Sequence, residues 1–73
     1  MYIHAMDTKT TEAIDRLAAD GFDIDPDCCD PQALLLDAND IAAGIVPLHL
    51  DADDLKRDGD TIAADLRLVA ASL

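Results

Sequence analysis

Acidic side chains interrupt this chain at short intervals and limit the length of every apolar stretch. They run from Asp7 to Asp65, and the longest stretch free of Asp, Glu, Lys and Arg, Ile41 to Leu50, itself contains Gly44, Pro47 and His49. Crossing a bilayer takes roughly 20 consecutive apolar residues. The sequence therefore predicts no membrane span.

Size and composition predict one folded domain, residues 1–73, with a thin aliphatic core. A chain of this size buries only about 60% of the surface that its unfolded form exposes. Apolar residues make up 51% of the chain, which is too many for an acidic disordered tail. Because Tyr2 and Phe22 are the only aromatic residues, the core must depend on Leu, Ile and Val.

The N-terminal sequence and the cysteines both favour a cytoplasmic location. Residues 1–7 contain neither the basic segment nor the apolar run of a signal peptide. Cys28 and Cys29 are adjacent, and a bridge between neighbours closes too small a loop to stabilise a fold. We expect two free thiols in a reducing compartment.

Two helices are predicted from apolar spacing and end signals. From about Thr10 to Asp20, apolar residues recur on one helical face, and Gly21 follows where a left-handed cap belongs. Asp30 and Pro31 then provide a cap and a first helical residue, and the pattern continues to Ala43, with room for a break near Asn39. The predicted faces consist of Ala13, Ile14, Leu17 and Ala18 in the first helix, and Leu34, Leu35, Ala38, Ile41 and Ala42 in the second.

The remaining segments favour strands. Tyr2 to Met6 predicts a first strand, Phe22 to Asp25 an edge strand or extended link, and Ile45 to Leu50 a strand with Pro47 at an edge. Residues 51–54 predict a charged turn or a single helical turn. Residues 61–73 fit both periods. Alternation of Ile62, Ala64, Leu66 and Leu68 after the turn Asp58-Gly59-Asp60 predicts a strand, whereas Ile62, Leu66, Val69 and Leu73 fit one face of a helix. Leu68 lies off that face and favours the strand, while the Ala-rich composition favours the helix.

This order predicts an α+β fold. A small single-layer sheet, in the order strand, helix, helix, strand, strand, would be covered on one face by the two helices.

The acidic residues carry the functional prediction. Sixteen acids, fifteen of them Asp, against five basic residues give a net charge of −11. Alternate positions of an extended strand lie about 6.6 Å apart, the same order as neighbouring phosphates of a nucleic acid. A row of carboxylates can thus take the place of phosphates on a basic partner. The candidate partner-binding residues are Asp20, Asp23, Asp25, Asp27 and Asp30 in one patch, and Asp51, Asp53, Asp54, Asp58 and Asp60 in a second.

A plainer interpretation of the same acids stays open. Asp is a common helix cap and turn residue, which would explain Asp7, Asp30, Asp51, Asp58 and Asp60 without a partner. An acidic bias for solubility or salt adaptation would explain the rest. Because such a bias should draw on Glu as well as Asp, the single Glu12 favours a local reason.

Metal-binding and catalytic motifs are absent from the sequence. Asp23, Asp25 and Asp27 have the opening spacing of an EF-hand, but Cys28 and Leu34 stand where that loop needs Gly and Glu. Adjacent cysteines lack the spacing of a zinc site. Neither His4 nor His49 has a nucleophile at a motif spacing. We therefore expect no cofactor, no metal and no enzyme activity.

In size, acidity and lack of catalytic residues, the chain resembles the small inhibitors of phages and mobile elements that mimic DNA, such as some anti-CRISPR and anti-restriction proteins. The resemblance is in composition, so no residue role is carried over. It implies a bacterial host and a nucleic-acid-binding target, such as a Cas surveillance complex, blocked stoichiometrically. The partner expected is a basic protein, with no direct nucleic acid and no membrane. The alternative is an antitoxin-like module that pairs through an apolar face, with a homodimer as one form.

Overall fold

A computed structural model of the chain describes residues 8–25 and 30–73. They form three α-helices, α1 (Thr8–Ala19), α2 (Pro31–Ala42) and α3 (Gly59–Ser72), and one short 3-10 helix, Ala52–Asp54. α3 packs against both α1 and α2 and is the central helix. Within these ranges, each helix is too short or too polar to cross a membrane.

α1 lies close to its predicted position. Its buried face contains Thr10, Ala13 and Leu17, with Ile14 at the edge, whereas Ala18, predicted on the same face, is exposed. Two contacts with α3 fix its direction: the Thr10 and Ser72 hydroxyls are 2.7 Å apart, and Arg16 hydrogen-bonds Asp65. α1 is therefore antiparallel to α3.

The predicted glycine cap of α1 is confirmed. Gly21 has a φ of +91°, and its N–H donates to the carbonyl of Ala18 at 3.1 Å. The N–H of Phe22 donates to the carbonyl of Leu17 at 2.9 Å, which completes a Schellman motif. This turn returns Phe22 to the core, where it is buried in the same cluster as Leu17.

α2 also confirms its predicted end signals. Asp30 caps the helix by accepting the N–H of Gln32 at 3.0 Å, and Pro31 is the first helical residue. The helix runs unbroken through Asn39 to Ala42, and Gly44 ends it with a φ of +84°. Its core-facing residues are Leu34, Ala38 and Ile41, while Leu35 and Ala42 are exposed.

The chain from Gly59 to Ser72 is a helix, so the prediction of a strand over residues 61–73 is wrong. Asp58 does not form a hairpin turn; it caps α3, accepting the Thr61 hydroxyl at 2.9 Å and, more weakly, the Thr61 N–H at 3.4 Å. The helical stripe of Ile62, Leu66 and Val69 is buried. Leu68, which lies off this stripe, is 36% exposed in the helix, so its position does not require a strand.

Another predicted strand, Ile45 to Leu50, is absent from the described residues and consists of irregular chain and a turn. Local turns hold both ends of this segment, since the N–H of Ile45 donates to the carbonyl of Asp40 and that of Leu50 donates to the carbonyl of Pro47. For Phe22 to Asp25, the alternative of a link is confirmed, since this segment has no regular secondary structure. For residues 51–54, the alternative of a single helical turn is confirmed.

The α+β prediction is therefore wrong for the part of the chain that the structure describes, which contains helices and no strand. The predicted strand Tyr2 to Met6 lies outside that part. In place of a sheet, the core is built where α3 meets its two neighbours. Its fully buried large side chains are Leu17, Ile62, Leu66 and Val69.

Candidate partner-binding surface

Two aspartates, one of them a candidate site residue, are buried as ion pairs. Asp20 is 2% exposed and Asp65 is 8% exposed. Arg57 donates from Nε to Asp20 and from Nη1 to Asp65, both at 2.7 Å. Arg16 donates to Asp65 from Nε and Nη2 at 3.0 Å. We call these four side chains the ion-pair network; they join the end of α1, the middle of α3 and the segment before α3.

Both carboxylate oxygens of Asp20 accept hydrogen bonds. Its Oδ1 accepts the backbone N–H of Lys56 at 3.2 Å. The Nη2 of Arg57 also lies 2.6 Å from Asp20 Oδ2, as an ionic contact without hydrogen-bond geometry. A buried carboxylate is tolerated only when it is paired in this way. Asp20 is therefore a structural residue in this fold and is not displayed to a partner.

The network shifts the ionisation of its members toward the charged forms. The hydrogen bonds from Arg16, with those from Arg57, outweigh burial and hold the pKa of Asp65 below its ordinary value. Burial lowers the pKa of Arg57, but its hydrogen bonds to Asp65 and Asp20 raise it by more. The pKa of Arg16 is raised chiefly by its hydrogen bond to Asp65. All three groups are therefore ionised at neutral pH.

Three other candidate residues act as helix caps. Asp30 caps α2, Asp51 caps the 3-10 helix through the N–H of Asp53 at 3.0 Å, and Asp58 caps α3. The capping role that the plainer interpretation gives these three aspartates is therefore observed. Each carboxylate is nevertheless on an exposed residue, and a cap uses only part of its hydrogen-bonding capacity. The caps can therefore still add to a negative surface.

The rest of the candidate set is exposed, apart from Asp27, which lies outside the described residues. Asp53 and Asp54 follow the cap of the 3-10 helix, and Asp60 lies in the first turn of α3. The other exposed members, Asp23 and Asp25, lie in the irregular segment after α1. Because Asp20 is buried, the first predicted patch is not displayed as a whole. The predicted row at alternate positions, Asp23, Asp25 and Asp27, has its first two members exposed, and its third lies outside the described residues.

A surface cleft brings some of the acids together. It has a volume of about 270 Å³ and lies between the segment after α1 and the first turns of α2. Its apolar part comes from Phe22, Ile24, Ala33 and Leu34, and its polar part from Asp23, Asp30, Asp37 and His49. Among the residues that the structure describes, neither Lys nor Arg lines it. The Nε2 of His49 lies 3.0 Å from Oδ2 of Asp37, which ties the chain after α2 to the cleft.

The 3-10 helix extends this acidic surface. The Cβ of Asp54 lies 3.0 Å from the position that a Cβ on Gly21 would take, and Gly21 lines the cleft. We call Asp23, Asp30, Asp37 and Asp54 the acidic rim. Sequence reasoning missed Asp37 because it lies within α2, outside both predicted patches.

Sequence reasoning also missed the ion-pair network, although a signal was present. Asp65 lies three residues after Ile62 and four before Val69, which places a carboxylate on the buried side of α3. A charge at such a position requires a partner of opposite sign. That requirement would have identified Arg16 or Arg57 as structural residues.

Exposed aliphatic side chains form a second surface feature. Ile45 is 57% exposed, Val46 38%, and Leu48 fully so, while Pro47 between them is buried. We call Ile45 to Leu48 the aliphatic loop. It occupies the place of the predicted strand, whose burial against helices would have hidden these side chains.

In the described ranges, no group of three or more His, Cys, Asp or Glu side chains is arranged to hold a metal ion. Cys28, Cys29 and His4 lie outside these ranges. Comparisons of the chain with protein-family models, curated proteins and solved structures found no match.

Proposed function

We propose that this protein is a non-enzymatic inhibitor that binds a basic, nucleic-acid-binding partner by offering carboxylates in place of phosphates, in the manner of DNA-mimic inhibitors of the anti-CRISPR or anti-restriction type. The observation that supports this most directly is the cleft lined by Asp23, Asp30 and Asp37, with Asp54 beside Gly21 at its edge. Among the described residues, no Lys or Arg lines the cleft. The charged ends of a partner's Lys or Arg side chains would form ion pairs with the carboxylates of the acidic rim, and their methylene groups would contact the apolar side chains of the cleft.

The ion-pair network determines which charged residues remain to meet a partner. It contains two acids and two arginines, so it is neutral. Removing it leaves 16 − 2 = 14 acids and 5 − 2 = 3 basic residues, a difference of −11. The network removes equal numbers of acids and arginines, so the whole net charge of −11 belongs to the remaining residues, where acids outnumber basic residues 14 to 3. Of the remaining basic residues, Arg67 is bonded to Asn39 on α2, at 3.3 Å.

The test is capture from a bacterial lysate with an added competitor. The immobilised protein should retain nucleic-acid-binding proteins at about 50 mM salt, and excess duplex DNA should release them because both ligands occupy one basic surface. Retention should fall by about 200 mM salt, where the Debye length is shorter than 10 Å. Captured proteins that survive both DNA and salt would contradict the proposal.

A matched pair of variants locates the surface. Asp23→Asn with Asp54→Asn removes two charges from the acidic rim and should weaken capture. Glu12→Gln with Asp15→Asn removes two charges from exposed positions on α1 and should leave capture nearly unchanged. Equal losses in both variants would show that total charge, and not the rim, governs binding.

The aliphatic loop favours a second candidate, a module that pairs through an apolar face while its acids serve solubility. The two candidates differ in their response to salt. Charge-dependent binding weakens as salt is added, whereas apolar pairing does not.

A further inference from the structure

The aliphatic loop is held in place with its side chains turned outward. The Schellman turn at Gly44 starts it, since the N–H of Ile45 donates to the carbonyl of Asp40 at 2.8 Å. The N–H of Leu50 closes it by donating to Pro47 at 3.0 Å. A single exposed aliphatic residue is ordinary on a protein surface. Three among four consecutive positions, next to a buried Pro47, form an apolar patch of the kind that marks an interaction site.

The acidic residues near the aliphatic loop favour a partner of positive charge. From Pro31 to Leu55 the chain contains no Lys or Arg, while it contains Asp37, Asp40, Asp51, Asp53 and Asp54. Two of these aspartates lie close to the loop, since the N–H of Ile45 donates to the carbonyl of Asp40 and His49, which follows Leu48, contacts Asp37. Apart from His49, the titratable side chains of this part of the chain are all acidic. A second copy would bring the same carboxylates and a net charge of −11 to the contact, and an anionic lipid surface would be repelled for the same reason.

We propose that the aliphatic loop binds the apolar face of a basic amphipathic helix on a protein partner, while the neighbouring aspartates pair with the Lys and Arg side chains flanking that face. A helix fits better than a strand because the described residues offer no sheet edge to extend. An amphipathic helix presents aliphatic side chains at i, i+3, i+4 and i+7 with its charges beside them. This inference rests on the proposed function, which makes the partner basic. It adds that the partner makes the contact through an amphipathic helix.

The test uses two synthetic peptides of equal charge. One is an amphipathic helix of Leu and Lys; in the other, each Leu is replaced by Gln. Affinity is measured by fluorescence anisotropy, and the contact is mapped by amide chemical shifts. The Leu and Lys peptide should bind more tightly than the Gln peptide and should shift the amide signals of Ile45, Val46 and Leu48.

Variants of the protein identify the apolar contact. Leu48→Ser should weaken binding of the Leu and Lys peptide about 10-fold or more, the loss expected for one buried Leu contact. It should leave the Gln peptide unaffected. Leu36→Ser is the matched control, since Leu36 is 65% exposed on α2 outside the loop, and it should change neither affinity.

The outcomes separate this inference from the proposed function. Equal binding of both peptides, or equal effects of Leu48→Ser and Leu36→Ser, would overturn the apolar contact and leave charge-based binding intact. Failure of both peptides to bind at low salt would overturn the two together. A dimer in analytical ultracentrifugation that Leu48→Ser dissolves would make a second copy the occupant and would also overturn the inference.

Discussion

Replacing Asp65 by Asn should destabilise the fold strongly, because the ion-pair network depends on this carboxylate. Asn preserves the volume but removes the charge, so the three hydrogen bonds from Arg16 and Arg57 lose their ionic acceptor. The Arg57 side chain is only 25% exposed and would remain next to Asp20 alone. The perturbation therefore affects the junction of α1, α3 and the segment between α2 and α3.

The magnitude follows from the burial of Asp65. Removing one partner of a fully buried pair costs about 3–5 kcal/mol, and hydrogen bonds to charged groups contribute about 1.5–3 kcal/mol. Because the Arg16 side chain is 46% exposed and can regain water, the lower range applies. We expect a loss of about 2–3 kcal/mol from a total of roughly 4–11 kcal/mol.

Urea unfolding followed by circular dichroism at neutral pH measures this loss. The matched control is Asp60→Asn, which makes the same change of charge in the same helix at an exposed position. It should cost no more than about 0.3–1 kcal/mol, the favourable interaction of an acid with a helix N-terminus. Equal effects of the two substitutions would refute the structural role of the network.

Acid provides an independent check on the same reasoning. The pKa of Asp65 is lower in the folded chain than in the unfolded chain, so its stabilising contribution is complete above the unfolded pKa of about 3.9. The contribution is lost as the pH falls through the lower folded pKa. The stability difference between the native protein and Asp65→Asn should therefore shrink below about pH 4. A difference that stays constant under acid would refute the assignment.

Three further predictions concern glycines and salt. Gly21→Ala should lower the thermal unfolding temperature more than Gly44→Ala does. Both positions have positive φ, but a Cβ on Gly21 would lie 3.0 Å from the Cβ of Asp54, whereas a Cβ on Gly44 would meet open space. The αL conformation alone costs about 1–2 kcal/mol, so equal losses would argue against the packing of the 3-10 helix near Gly21. Gly59→Ala should destabilise the protein despite the better helix propensity of Ala, because its Cβ would lie 2.5 Å from the carbonyl oxygen of Ile41; a gain in stability would contradict the contact between α2 and α3. Raising NaCl from about 50 to 500 mM, which shortens the Debye length below 10 Å, should raise the midpoint of urea unfolding, and a fall would show that ion pairs outweigh repulsion.

The ends of α1 and α2 were predictable because local chemistry determines them. Gly21 adopts a backbone conformation that glycine reaches at little cost, and Asp30 with Pro31 forms a cap that needs no distant residue. These signals act within a few residues of the chain. They hold whatever the rest of the fold is, and the positions of both helices were correct to within about two residues.

The error in α3 came from a side chain whose environment is not local. The segment fits a helix and a strand, and only the identity of the packing partner decides between them. Leu68 was expected to need burial, yet it lies on the outer side of α3. The Asp58 cap and the stripe of Ile62, Leu66 and Val69 agree with each other and with the helix. Three members of the acidic rim, Asp23, Asp30 and Asp54, lie in the predicted patches. The fourth, Asp37, was missed because only the tertiary fold brings it to the cleft.

The separation of charge in this fold has one consequence for stability and another, of opposite sign, for binding. The ion pairs of the network stabilise the core. The carboxylates outside the network are in excess over basic groups and repel one another. Salt screens this repulsion and stabilises the protein, but it also screens attraction to a basic partner. A basic partner relieves the repulsion directly, so its binding should raise the unfolding temperature most where salt is low. If the acids served only solubility, salt would still stabilise the fold, but there would be no charge-dependent partner binding for salt to weaken. Opposite salt responses of unfolding and partner binding are therefore the pattern expected if the acidic surface is a recognition surface.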